Sequence, residues 1–238
     1  MYKKDVINSQ NGLNVISRNN KKIFVKAKYG PSKLTKIPLY INDELAFFVG
    51  CIIGDGHLKK SKTQTTIELT NWNLIKHISK LCVSLFNRKF NVTKVKLREG
   101  KQQTYHMCID SKAIYNLLKN VFGIPSGKKS DVVKIPKCIL NSNKEIKIAF
   151  LKGLLATEGG KRRRGYGLST ASKQMWKDLD SIFNSLKVPI LKDKWVHKKY
   201  RKEYYGITFK PQYANLFNAG VPEWSNGVGL GPISLVLA

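Results

Sequence analysis

Apolar positions along this chain recur every three or four residues in some stretches and every second residue in others, and the changes of period mark its elements. Asn42 or Asp43 caps a helix whose apolar run continues to Ile53 and stops at Gly54-Asp55-Gly56. Residues 65–69 have β-branched strand character. Asn71 precedes a helix over 74–86, with Ile75, Ile78, Leu81, Cys82 and Leu85 on one stripe. Residues 92–98 alternate in twos, Glu99-Gly100-Lys101 turns the chain, and 105–109 supplies a partner strand. Residues 113–121 return to helical spacing.

The same order then repeats. A connector with breaks at Pro125, Gly127 and Pro136 leads into an apolar helix ending at Thr157. Strand 166–170, helix 173–186, a strand near 194–197, strand 204–209 and a helix from Pro211 to Phe217 follow. The pattern divides the chain into a basic extension (1–40), a first half (41–123), a connector (124–147), a second half (148–220) and a tail (221–238). The extension shows one strand-like run, 22–27, and a Gly30-Pro31 break, and it has no evident place on a core. The tail is nearly uncharged and Gly-rich, and is set aside.

Within that repeat, two segments read alike: Phe48-Val49-Gly50-Cys51-Ile52-Ile53-Gly54-Asp55-Gly56 and Leu151-Lys152-Gly153-Leu154-Leu155-Ala156-Thr157-Glu158-Gly159. Small residues one turn apart (Gly50 and Gly54, Gly153 and Thr157) let two helices approach backbone to backbone. Helices packed through these notches bring Asp55 and Glu158 side by side at their common end. Paired carboxylates repel, and a divalent cation with a taste for hard oxygen, such as Mg²⁺, relieves the repulsion. Such ions can also clamp the attacking and leaving oxygens of a phosphodiester. Either acid alone reads as an ordinary helix-to-turn transition; both at equivalent places in a repeat argue for chemistry.

Charge narrows the partner. With 43 Lys+Arg against 15 Asp+Glu, the net charge of +28 repels itself and calls for a polyanion. Nucleic acid fits, because phosphate neutralisation gives affinity without sequence. A membrane does not: no apolar run is long enough to span one, and the basic residues are spread over both halves. Met1 to Asp5 lead into polar sequence, with no secretory h-region. Cys51, Cys82, Cys108 and Cys138 fit neither a zinc site nor a disulfide framework, so buried thiols in an intracellular protein are expected. His57, His77, His106 and His197 lack metal-ligand spacing.

The paired segments resemble the double motif of the LAGLIDADG homing endonucleases, in the single-chain, two-motif form encoded in introns or inteins, and are most similar to the archaeal intron-encoded type. Lys129-Ser130 followed by Ile135-Pro136 in the connector fits as well, and the likeness spans residues 43–220. It implies an α+β fold: a pseudo-two-fold, duplicated αββαββα with saddle-shaped antiparallel sheets and two central packed helices. It implies a monomer that cuts double-stranded DNA, with Asp55 and Glu158 as catalytic metal ligands and the carbonyls of Gly54 and Thr157 completing the shell. Two or three divalent ions, Mg²⁺ in the first instance, would be shared between the carboxylates. Lys161 stands where related monomers carry a supporting lysine, although its run, Lys161-Arg162-Arg163-Arg164, leaves phosphate contact as the other role. Departures are Ile53 and Ala156 at the sixth motif position, which does not hold the metal, and Thr70-Asn71-Trp72 where some relatives carry a basic or amide residue. Asn71 is a weak substitute there and a lysine is missing, which implies uneven cutting of the two strands. Two rivals share the fold: a maturase that binds its host intron RNA, and a non-catalytic DNA-binding regulator.

The alternating strands suggest which residues meet DNA. Lys94, Lys96 and Arg98 share one face of their strand, while in the partner Thr104, His106 and Cys108 oppose Tyr105, Met107 and Ile109. In the second half Tyr204, Thr208 and Lys210 oppose Tyr205, Ile207 and Phe209. A two-stranded ribbon fits the major groove, where Lys and Arg read guanine. Lys192, Lys194, Lys199 and Arg201, with Arg162, Arg163 and Arg164, are expected to hold phosphates and fix register. Trp72, Trp176 and Trp195 are expected to pack in the core or on the sheets.

Overall fold

The computed structural model describes residues 3–29, 33–95, 102–199 and 201–217. Two four-stranded antiparallel sheets share one plan. In the first half α2 (Asp43–Gly54) is followed by β4 (Gly56–Lys59), β5 (Gln64–Leu69), α3 (Trp72–Phe86), β6 (Val92–Lys94), β7 (Tyr105–Ile109) and α4 (Lys112–Asn116), which continues as a π-helical turn over Leu117–Val121. In the second, α6 (Lys144–Glu158) is followed by β8 (Gly160–Arg162), β9 (Gly165–Thr170), α7 (Lys173–Ser185), β10 (Ile190–His197), β11 (Lys202–Phe209) and a 3₁₀ helix, Pro211–Phe217. The sheets run β4-β5-β7-β6 and β8-β9-β11-β10, so the strand following each motif acid lies at equivalent edges. A short α5 (Lys137–Leu140) belongs to the connector.

The local signals act as their chemistry requires. Asn42, Asn71, Asn143 and Ser172 each accept the N–H three residues on, at 3.0 to 3.2 Å, satisfying amides that the first helical turn leaves without partners. Asn87 ends α3 in the left-handed region, with φ +54°. Both apolar motif helices are buried on nearly every side (Phe48, Val49, Cys51 and Ile52 in one; Phe150, Leu151, Leu154 and Leu155 in the other). This explains why neither shows a clean amphipathic stripe.

Three expectations change. β4 and β8 lack a sequence signal, since Gly-His-Leu-Lys and Gly-Lys-Arg are too short to display a period. α6 begins at Lys144, inside the stretch read as connector. The basic extension is folded: α1 (Lys3–Ser9) precedes a three-stranded antiparallel sheet, β1 (Leu13–Arg18), β2 (Lys22–Ala27) and β3 (Thr35–Pro38). Val6, Ile23, Val25, Ile37 and Leu39 are fully or almost fully buried and join the main core. β2 and β3 each contribute only two inward side chains (Ile23 and Val25, Thr35 and Ile37), β1 packs through Leu13 alone, and the lysines beside the inward positions of β2 and β3 hide the pattern. The Gly30-Pro31 break, the second part of strand 92–98 with its turn, and the tail lie outside the described residues.

Candidate active site

α2 and α6 pack against each other more extensively than any other two helices. Glycine makes this possible. A Cβ on Gly50 would collide with the Phe150 carbonyl and lie 2.8 Å from the Leu154 nitrogen; one on Gly153 would collide with the Phe47 carbonyl and lie 3.1 Å from the Cys51 nitrogen. The notches are thus reciprocal, each receiving the other helix's backbone. One turn further, a Cβ on Gly54 would lie 3.0 Å from Thr157 Cβ and 3.1 Å from Glu158 Cγ. Glu158 therefore lies over the end of α2, where Asp55 caps the helix by donating its N–H to the Cys51 carbonyl at 3.1 Å. Glu158 closes α6, and Gly159 donates to the Leu155 carbonyl at 2.9 Å.

Asp55 and Glu158 are open to solvent on one side and crowded by protein on the other. Burial raises the Asp55 carboxyl from its ordinary 3.8 to about 6, the Glu158 charge adds to this, and Lys129 opposes it. Glu158 is raised by burial and lowered by Lys129. Two carboxyls that resist ionisation at a shared place are a site built for positive charge.

Part of that charge is supplied by a residue that sequence reading left without a role. Lys129 donates from Nζ to the carbonyls of Ile52 (2.8 Å), Ile53 (2.6 Å) and Gly54 (2.5 Å), the last acceptors of α2. Its burial lowers its own pKa to about 8, against the opposing pull of Glu158 and Asp55. An ammonium at a helix C-terminus completes the dipole and satisfies orphan carbonyls. The only signal was the Lys129-Ser130 pair in the connector, and beside Lys128 it resembles solvated surface charge. A recess of about 200 Å³ opens beside Lys129 and Glu158, bordered by Gly54, Ser169 and Tyr204.

The donor set fits a hard divalent cation: two carboxylates and main-chain carbonyls, with no cluster of three or more His, Cys, Asp or Glu among the described residues. Of the two carbonyls expected to complete the shell, that of Gly54 is engaged by Lys129. The Thr157 hydroxyl turns back to the carbonyls of Gly153 (3.3 Å) and Leu154 (3.0 Å).

The register sorts the residues expected at DNA. Thr93 pairs with His106 and Lys94 with Tyr105, and Val92 and Tyr105 pack on the core. His106 therefore lies on the outer face, and Lys94 on the helix-covered one. Among the described residues of this strand the phase is the reverse of the one expected, because Val92, and not Val95, is the inward anchor. Lys192 and Lys194 pair with Ile207 and Tyr205, also on the helix side. Lys192 pairs with Asp180 of α7 at 2.8 Å and lies over the Trp176 ring, while Lys194 meets Glu203 at 3.0 Å. On the outer face of the second sheet are Tyr204, stacked on Trp195 with centroids 6.0 Å apart, and Thr208, which is buried. Trp195 thus shares the face of Tyr204. Arg162 pairs with Gly165, bonds Ser169 Oγ and approaches Asp193 at 3.9 Å, while Lys161 pairs with Tyr166. Arg163 and Arg164 form the exposed β8–β9 turn, Lys199 and Arg201 lie in the β10–β11 turn, and Lys210 is exposed after β11. Lys96 and Arg98 fall outside the described residues.

No family model matches the chain. It is 35% identical over 169 residues to the replication factor C small subunit of Methanocaldococcus jannaschii. To an A-type ATP synthase subunit of Pyrococcus abyssi the identity is 24% over 209 residues, and to the probable translation initiation factor IF-2 of M. jannaschii 27% over 200. These matches take in 70%, 87% and 80% of this chain, yet the chain spans only 9%, 19% and 16% of those proteins. Among solved structures, variants of the homing endonuclease I-DmoI superpose with TM-score 0.52 at 22% identity, over 75% of this chain and 88% of theirs. I-DmoI bound to DNA and Mn gives 0.52 at 22%, over 75% and 96%. The N-terminal LAGLIDADG domain of DUF199/WhiA gives 0.50 at 11%, over 76% and 82%. The fold is the α+β LAGLIDADG fold. Among the described residues no helix is long and apolar enough to cross a membrane.

Proposed function

We propose that this chain is a site-specific, divalent-metal-dependent endonuclease of the LAGLIDADG homing type, acting as a monomer on double-stranded DNA. The observation that carries the reading is the meeting of Asp55 and Glu158 at the common end of two helices notched for backbone contact. Asp55 and Glu158, with the Thr157 carbonyl, would hold two or three Mg²⁺ ions, and the Gly54 carbonyl would join them where Lys129 yields it. Such ions, when bound, neutralise the scissile phosphate and lower the pKa of a water. The chain's residues do the rest. The carboxylates fix where the charge stands, and Lys129 holds the end of α2 in place. Lys161, which its pairing with buried Tyr166 puts on the helix-covered face of the edge strand β8, would reach the reacting phosphate around that edge. The basic β8–β9 and β10–β11 turns would hold the flanking backbone. The solved neighbours include complexes with DNA and with Mn or Ca, which supports both partner and cofactor class.

The three curated relatives carry unrelated names, and the shared segment fills at most 19% of each. This supports a mobile module carried inside unrelated reading frames, the habit expected of an intron- or intein-encoded nuclease in an intracellular setting. The test is a randomised duplex library incubated with Mg²⁺ and sequenced at cut ends. Asp55→Asn and Glu158→Gln should each reduce cleavage more than a thousandfold, about 4 kcal/mol of transition-state stabilisation, while leaving duplex affinity within a fewfold. Wild-type scission by either variant would sink the assignment. Tight binding of host intron RNA with restored splicing, and no cut duplex, would instead establish the maturase.

A further inference from the structure

The folded extension creates a surface that the duplicated core does not need. Between its sheet and the outer end of the first half lies an open cleft of about 860 Å³. Lys26 and Lys33 line it from the extension; Arg88, Lys89 and Lys112 line it from the first half; Asp110 is its one carboxylate. Lys26, Lys33, Lys89 and Lys112 are exposed, and among the described residues none forms an ion pair. Arg88 acts as the joint, donating to Thr35 Oγ1 at 3.0 Å and to the Asp110 carbonyl at 3.2 Å, so the two walls are fixed to each other. The floor reaches Thr93 of β6 and its partner His106 of β7, which belong to the outer face of the first sheet, where β6 is the strand farthest from β4 and Asp55.

We infer that this cationic cleft receives the phosphate backbone of duplex DNA beyond the first half's share of the target, lengthening the footprint on that side only. The inference rests on the endonuclease reading, because it takes the outer sheet face as the DNA face. A rigid, lysine-lined channel with one acid, continuous with that face, matches a polyanion and gives a small apolar ligand little to hold. Nothing equivalent precedes α6, where the chain enters from the connector, so the pseudo-two-fold symmetry is broken at this place.

Two measurements on the full chain test it, in EDTA so that nothing is cut. A mixed-sequence duplex overhanging both halves should slow acetylation of Lys26, Lys33, Lys89 and Lys112 several-fold in the wild-type protein. Replacing the four together by alanine should leave the melting temperature unchanged, since all are exposed. It should also reduce the slope of log affinity against log salt by about 0.9 for each phosphate that is no longer neutralised. Unchanged reactivity at all four lysines, with Lys161 and Lys199 protected, would overturn this inference and leave the endonuclease reading standing. No duplex binding at all would overturn both. Protection by a hairpin RNA in preference to the duplex would reassign the cleft to RNA and overturn it as stated.

Discussion

Asp55 keeps its proton up to about pH 6, where an ordinary aspartate has lost it near 3.8, because burial and the Glu158 charge outweigh Lys129. Between those values the folded chain holds a proton that the unfolded chain has released. This carboxyl therefore subtracts stability as pH rises through the window, and its full penalty stands above pH 6. A metal ion must displace that proton. Mg²⁺ affinity should accordingly fall about tenfold per pH unit below 6 and level off above 7. Calorimetric titration in two buffers of different ionisation enthalpy would report the released proton, and a pH-independent affinity would refute the assignment. Lys129 makes the converse prediction. In Lys129→Met the Asp55 carboxyl should titrate higher, followed by carbon NMR. Three helix-end carbonyls also lose their charged donor, costing about 1–3 kcal/mol in urea unfolding. Lys129 shows where sequence reading stops: a lysine among lysines carries no mark of burial until the connector is folded over α2.

At the scale of elements, the glycines separate what the sequence discloses from what it withholds. Gly50 and Gly153 are legible because spacing by turns is a one-dimensional property, and their reciprocal collision with Phe150 and Phe47 is what that spacing implies. Gly153→Ala should force the helices apart and cost about 1–3 kcal/mol, the range for overpacking. Gly160→Ala, with open space around its Cβ position, should stay within about 0.5 kcal/mol. Equal losses in chemical denaturation would remove the steric argument. Strand faces were less legible. Alternation gives two faces and not their assignment, which is decided by whichever side chain meets a covering helix: Val92 and Tyr105 in one half, Lys192 against Asp180 and Trp176 in the other. β4 and β8 were illegible for a simpler reason. They are short strands that begin at a glycine, held by pairing with β5 and β9 and not by any pattern of their own.

For the whole molecule, the extension decides whether two duplicated halves suffice. Its composition reads as a solvated basic arm, yet Val6, Ile23, Val25, Ile37 and Leu39 are fused to the core of the first half. Gln10 and Asn120 tie α1 to α4 and its π-helical turn through the carbonyls of Ala113 and Ser9, each at 3.4 Å. A disposable arm could be removed without thermodynamic consequence. An integral sheet could not, because each fully buried aliphatic side chain is worth about 1.5–3 kcal/mol and its former neighbours would face water. Deleting residues 1–40 should therefore cost on the order of 5 kcal/mol, lowering the melting temperature by roughly 10 °C or more for a domain of this size. The unpaired apolar flank of α3 and α4 should then promote association. The thermal shift is read on protein purified without metal or DNA, so it does not depend on the proposed activity. A truncated chain that melts with the full one would mean that the three-stranded sheet lies against the first half without stabilising it, and that the walls of the cationic cleft are not rigidly joined.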